Sequence, residues 1–133
     1  MIDEKKLFDA ALKARELSYS PYSKYAVGAA VLMKDGSIVL GANIENAAYG
    51  LCMCGERNAI YGAYCRGYNK EDIEALCIAT QSKTPASPCG ACRQVIFELL
   101  NHETPVYLIN TNRKVILTNP NELLPLGFSD EDL

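Results

Sequence analysis

The segment Pro88-Cys89-Gly90-Ala91-Cys92 sets two cysteines three residues apart where the stretch Pro88 to Asn101 starts to read as a helix. With Pro88 at or near the first helical position, both sulfurs lie beside unpaired N–H groups and the positive end of the helix dipole. Such a position favours the thiolate, the form that binds metal or attacks a disulfide. Cys54-Gly55-Glu56 stands at the start of a second predicted helix, Cys54 to Arg66, and adds a third thiolate with a carboxylate two residues on. A fold that aims both helix starts at one point converges three sulfurs on one ion, and few arrangements of the chain can do so. Zinc with three protein ligands keeps a fourth tetrahedral position for water, as catalytic rather than structural sites do. The spacing alone leaves a closed zinc site and a redox dithiol open as alternatives, with Cys52 a rival ligand close to Cys54.

The elements around these helices follow from periodicity. Leu7, Ala10, Ala11, Ala14 and Leu17 recur at spacings of three and four between Ile2 and Leu17, which predicts an amphipathic helix ended near Pro21. Tyr25 to Met33 and Ile38 to Ala42 flank Lys34-Asp35-Gly36-Ser37, a hairpin signal. Ala75 to Gln81, Pro105 to Asn110 and Lys114 to Thr118 read as strands. Asn119, Pro120 and Glu122 form a capped start for a short final helix, before a Gly127-Phe128-Ser129 tail. The expected fold class is α/β: three layers, α/β/α, with a central mixed sheet of about five strands and helices on both faces. One domain over residues 1–133 is expected, since the length and a 49% hydrophobic content suit a single core.

Thirteen basic and sixteen acidic residues give a net charge of −3, without a Lys/Arg cluster to track a phosphate backbone. A small substrate is expected, and no nucleic acid. The N-terminal segment lacks the apolar run of a signal peptide and no later stretch could span a bilayer, so no membrane is expected and a cytoplasmic location is. Six cysteines in such a chain favour metal or thiolate chemistry over a disulfide framework. Cys52, Cys65 and Cys77 are expected to be small buried or half-buried residues. His102, the one histidine, falls at the far end of the helix begun by Cys89, too distant for the same metal, and suits a C-terminal cap.

Cys-x-Glu followed by Pro-Cys-x-x-Cys resembles the pattern of the zinc-dependent deaminases of bases and nucleosides. Ser20-Pro21-Tyr22-Ser23, Val27-Gly28-Ala29-Ala30, Asn43-Ile44-Glu45-Asn46-Ala47-Ala48-Tyr49, Cys54-Gly55-Glu56-Arg57-Asn58-Ala59 and Ser87-Pro88-Cys89-Gly90-Ala91-Cys92-Arg93-Gln94 extend the likeness over nearly the whole chain. They resemble the small, homotetrameric, three-cysteine cytidine deaminases of the cytidine/deoxycytidylate deaminase superfamily. The resemblance implies one Zn²⁺ per subunit on Cys54, Cys89 and Cys92, and hydrolysis of free cytidine and deoxycytidine to uridine and deoxyuridine with release of ammonia, in pyrimidine salvage. Glu56 is then the catalytic acid and base, protonating N3 of the ring and afterwards the departing ammonia while water activated by the metal attacks C4. Asn43 and Glu45 match residues that bind the ribose hydroxyls, and Tyr25 an aromatic that stacks on the pyrimidine. Ala47, Tyr49 and Phe128 match residues lining a neighbouring subunit's pocket. Arg57 resembles an arginine that hydrogen-bonds the metal-bound thiolates, and backbone groups of Gly55 and Ser87 would hold the ring edges.

Two departures stand out: Gly55 where Ala is commoner, and Tyr25 where Phe is commoner, the latter adding a hydroxyl that needs a partner or water. Taken singly, Glu45 reads equally as a loop acid, Asn43 as a turn former and Phe128 as an aromatic packed on its own domain. A deaminase of other substrates, a non-catalytic zinc-stabilised module and a thiol–disulfide oxidoreductase remain rival readings at this level. Glu45, which would repel a phosphate, favours a nucleoside over a nucleotide.

Overall fold

The computed structural model describes Met1 to Leu133. Its elements are α1 (Glu4–Ala14), β1 (Gly28–Met33), β2 (Ile38–Ala42), α2 (Gly55–Cys65), β3 (Ile73–Thr80), α3 (Gly90–Leu99), β4 (Val106–Asn110), β5 (Val115–Thr118) and α4 (Pro120–Leu123), with short 3-10 turns at Arg15–Leu17, Tyr49–Leu51, Lys70–Asp72 and Asp130–Asp132. The five strands form one sheet in the order β2-β1-β3-β4-β5. β1 is antiparallel to both neighbours, β3 and β4 are parallel, and β5 returns antiparallel to β4. This is the mixed sheet expected from the sequence.

Local chemistry sets the boundaries. Asp3 caps α1 by accepting the Lys6 N–H at 3.1 Å. In the β1–β2 turn, Gly36 takes φ +92°, a conformation that suits a residue without Cβ, while Asp35 accepts the Ser37 N–H at 2.8 Å. Asn119 caps α4 through the Glu122 N–H at 2.9 Å, with Pro120 in the first turn as expected. β1 starts at Gly28 rather than at Tyr25, because residues 25–27 leave the ladder: the Val27 N–H and the Tyr25 carbonyl bond to the Asn43 side chain instead of to a strand.

Strand alternation divides the interior into two layers. Ala29, Val31, Met33, Leu76, Ile78, Val106 and Leu108 face α2 and α3, joining Ala59, Ile60, Ala63, Ile96 and Leu100. Ala30, Leu32, Ala75, Cys77, Ala79, Tyr107 and Ile109 face α1, against Leu7, Phe8 and Ala11. The placement of α2 and α3 on one face has a topological cause. α2 connects β2 to β3 and α3 connects β3 to β4, stepping in the same direction across the sheet, so right-handed connections put both helices on the same side.

The helices seat closely on the sheet at two glycines. A Cβ on Gly41 would come within 2.3 Å of the Ala59 N and 2.5 Å of the Gly55 O, both backbone atoms of α2. One on Gly28 would come within 2.3 Å of the Ala11 O in α1. Gly41→Ala is therefore expected to force α2 off the sheet, costing about 1–3 kcal/mol and lowering the melting temperature by roughly 5 °C or more. Thermal unfolding followed by circular dichroism checks this, and an unchanged midpoint would contradict the close seating.

Candidate active site

Because β1 runs antiparallel to both neighbours, the C-terminal ends of β2 and β3 flank its first residue: Gly28 pairs with Ala42 on one side and with Ala79 on the other. Three segments therefore leave the sheet along one edge: residues 25–27 before β1, 43–45 after β2, and 81–89 after β3. The carboxyl end of parallel-type strands is where α/β sheets build ligand sites. A cavity of about 500 Å³ opens there, within the usual range for a small-molecule site.

Cys54 and Cys89 are the N-cap residues of α2 and α3, so two helix starts meet at this edge. α3 starts at Gly90, two residues after the expected start at Pro88, so Pro88 lies outside the helix and Cys89 caps it by accepting the Cys92 N–H at 3.5 Å. The three sulfurs lie within 4.8 Å of one another. Cys54 and Cys89 are 3.9 Å apart, and Cys89 and Cys92 3.4 Å. Sulfurs about 2.3 Å from a tetrahedral zinc stand roughly 3.8 Å from each other, so the donor set and its spacing fit that ion. All six cysteines are free. Cys52 lines the cavity, but it stands outside the three-sulfur cluster and accepts the Asn46 N–H at 3.3 Å.

The electrostatics favour sharing a cation. A hydrogen bond from Cys92, aided by Arg57, draws the Cys54 thiol down to about 5. Cys92, bonded to Cys54 and buried, is held far above the usual thiol range, since a second thiolate beside the first is repelled. Arg57 donates from Nη2 to the Cys54 sulfur at 3.3 Å, while its buried Nε has no partner. Glu56 is only 5% exposed, and burial raises its pKa above the ordinary carboxylate range. It shares the cavity wall with Cys54, Cys89 and Gly55. A Cβ on Gly55 would lie 3.0 Å from the Val27 O and 3.2 Å from the Asn43 N, so an alanine there needs these backbone atoms to give by a few tenths of an ångström.

Tyr25, Asn43 and Glu45 line the same cavity, as do Gly55 and Ser87. Asn43 is heavily engaged: its Oδ1 accepts from the Val27 N–H and the Ser18 hydroxyl, and its Nδ2 donates to the Tyr25 carbonyl at 2.7 Å. One Nδ2 hydrogen remains free of protein partners. The Glu45 carboxylate accepts from the Ser23 hydroxyl and from the backbone N–H groups of Tyr22 and Ser23, and the Ser23 bond keeps its pKa below the ordinary range. Ala47, Tyr49 and Phe128 do not line this cavity. Ala47 and Tyr49 are exposed, and Phe128 is 56% exposed beside α3, where its carbonyl accepts from Gln94 Nε2 at 2.9 Å.

Several residues with a part in the site carry no signal that the sequence reading used. Ser23 holds Glu45, and Arg93 braces the loop before Cys89 by donating to the Ser87 hydroxyl, the Pro88 carbonyl and the Leu123 carbonyl. Both fall inside segments that resemble the deaminases, yet their bonds run to backbone and loop atoms that only the fold brings near. Two expectations need correction. His102 does not cap α3: its ring stacks on Phe97 with centroids 4.0 Å apart, and the Tyr64 hydroxyl takes the Leu99 carbonyl at 2.8 Å instead. Cys65 is exposed at the end of α2, while Cys77 is fully buried and Cys52 half-buried.

Comparison with known proteins agrees with this geometry along the length of the chain. Over 132 residues it is 48% identical to a cytidine deaminase of Halalkalibacterium halodurans, covering 99% of this chain and 98% of that one. A cytidine deaminase of Sporosarcina psychrophila is 47% identical over 132 residues, covering 99% and 96%. The crystal structure of a cytidine deaminase from Burkholderia pseudomallei superposes with a TM-score of 0.93 at 42% identity, covering 96% of this chain and all of that one. The family described as the cytidine and deoxycytidylate deaminase zinc-binding region matches residues 1–108, a span that holds both cysteine-bearing helix starts and the buried glutamate between them. The chain belongs to the cytidine and deoxycytidylate deaminase family.

Proposed function

We propose that the chain is a zinc-dependent cytidine deaminase that hydrolyses free cytidine and deoxycytidine to uridine and deoxyuridine, releasing ammonia. The observation that carries this reading is one cavity wall that holds Cys54 and Cys89 of a three-thiol cluster, the buried Glu56 carboxyl, and the Asn43–Glu45 pair. Cys54, Cys89 and Cys92 hold one zinc ion per subunit, which when bound supplies a Lewis acid that brings the pKa of a water toward neutrality.

The remaining work belongs to side chains. Glu56, kept from solvent and with its pKa raised by burial, shuttles protons: as carboxylate it takes one from the water and delivers it to N3 of the pyrimidine, then moves the proton of the oxygen added at C4 to the amine, which leaves as ammonia. Arg57 donates to the Cys54 sulfur, and its charge offsets the net negative charge that three thiolates leave on a divalent ion. Tyr25 provides a ring face for the pyrimidine, and backbone groups of Gly55 and Ser87 lie where they can hold its edges. Glu45, ionised and acceptor-only, suits ribose hydroxyl donors, while the free Nδ2 hydrogen of Asn43 suits a ribose oxygen. A carboxylate at that point repels a 5′-phosphate, which favours nucleosides over nucleotides and nucleic acids.

We read residues 1–133 as one domain, with both core layers sharing one sheet, and the active unit as a homotetramer with shared sites. Three cavity residues implied by family resemblance, Ala47, Tyr49 and Phe128, stand outside their own chain's cavity, and Tyr49 and Leu51 are 74% and 71% exposed. Such residues serve a neighbour's pocket. Six free thiols suit a reducing compartment, in keeping with a cytoplasmic salvage enzyme, and no helix is long and apolar enough to cross a membrane.

Glu56→Gln is expected to cut kcat for cytidine by about 10²–10⁴-fold or more with zinc content unchanged, read from the ultraviolet change on uridine formation. Comparable turnover by the zinc-loaded variant would remove Glu56 from the mechanism. Light scattering is expected to give a particle of four times the 14.6 kDa chain mass; a monomer with full activity would rule out shared sites.

A further inference from the structure

The Tyr25 hydroxyl has a partner: it is hydrogen-bonded to the Ser82 hydroxyl. Ser82 lies near the start of the loop from β3 to α3, whose far end is Cys89. Two more side chains tie the same stretches together. Gln81 Nε2 donates to the Lys24 carbonyl at 3.1 Å, and Arg15, which donates to the Ala26 carbonyl at 3.0 Å, also donates to Gln81 Oε1 at 2.9 Å. From beneath, the fully buried Asn110 donates to the carbonyls of Ser82 at 3.1 Å and Lys83 at 2.8 Å. Its Oδ1 accepts the N–H groups of Asn112 and Lys114, so the clamp rests on the β4–β5 turn.

We propose that the Tyr25–Ser82 hydrogen bond is a latch that holds the cavity's aromatic wall in place against the loop carrying Cys89, which makes Ser82 a positioning residue for the bound nucleoside. The inference rests on the deaminase reading for its substrate, and on the structure for the latch. An aromatic side chain in a cavity wall swings about its Cα–Cβ bond, and an anchored hydroxyl at the far end of the ring restrains that swing before a ligand arrives, so less ordering is left for binding. The same bond restrains the start of loop 81–89, whose backbone Asn110 also holds.

A double-mutant cycle tests this with wild type, Tyr25→Phe, Ser82→Ala, the double variant, and Ser82→Thr, which keeps the hydroxyl. KM and kcat for cytidine are measured on the zinc-loaded proteins, and amide hydrogen exchange over residues 81–89 on the same proteins without substrate. Each single variant is expected to raise KM about two- to tenfold with a smaller change in kcat, and to speed exchange in the loop. The double variant is expected to be no worse than either single, and Ser82→Thr to keep the parent KM. Additive effects overturn the latch, as does Ser82→Ala with unchanged KM or exchange; a rise in KM for Tyr25→Phe alone would mean that the hydroxyl meets the substrate directly. If wild type turned over no cytidine, the substrate reading would fail on its own, and the exchange cycle would still decide the latch: coupled acceleration keeps it and unchanged exchange removes it.

Discussion

The meeting of two helix N-termini at one edge of the sheet is the constraint on which the rest of the site depends. It follows from strand order. With β1 inserted antiparallel between β2 and β3, the two strands that lead into α2 and α3 end at the same edge of the sheet, on either side of β1. Right-handed connections then put both helices on the same face, so Cys54 and Cys89 arrive together as caps. Cys92 comes one turn later on α3 and points back toward the same place. α2 seats on β2 so closely at Gly41 that there is no room for a side chain between them.

Charge balance explains the neighbours of the sulfurs. Thiols this close cannot all ionise alone, and one of them, Cys54, already leans to the thiolate under the influence of Cys92 and Arg57. A divalent cation held by the three sulfurs would resolve the repulsion, and Arg57, which donates to the Cys54 sulfur, would offset part of the excess negative charge. Glu56 sits one residue beyond the helix start, where the fold buries it, so desolvation rather than a partner charge sets its readiness to hold a proton. Glu45, which lines the same cavity, is pinned by three donors that hold its pKa below the ordinary range, the opposite direction to Glu56.

Most of the architecture was legible from local pattern: the spacing of Leu7, Ala11 and Ala14, the short apolar run from Ala75 to Ala79, and the Asp35-Gly36 turn each mark an element directly. The three cysteines and Glu56 were legible because two motifs each start a helix. What escaped was whatever depends on contact between distant loops. β1 begins late because Asn43 captures the backbone of residues 25–27, a competition that residue pattern does not record. His102 was placed as a cap from its position alone, yet the nearby Phe97 ring offers it a stacking surface and Tyr64 occupies the carbonyl. Ser23, Ser82, Arg93 and Asn110 act through single hydrogen bonds across the fold, which leave no trace in spacing.

The convergence of three sulfurs on one ion with a position left for water is tested most directly by zinc X-ray absorption spectroscopy on the purified wild type. The account predicts three sulfur neighbours at about 2.3 Å and one lighter neighbour at about 2.0 Å. Four sulfurs around the metal, with Cys52 drawn in as the fourth, or fewer than three, would contradict it.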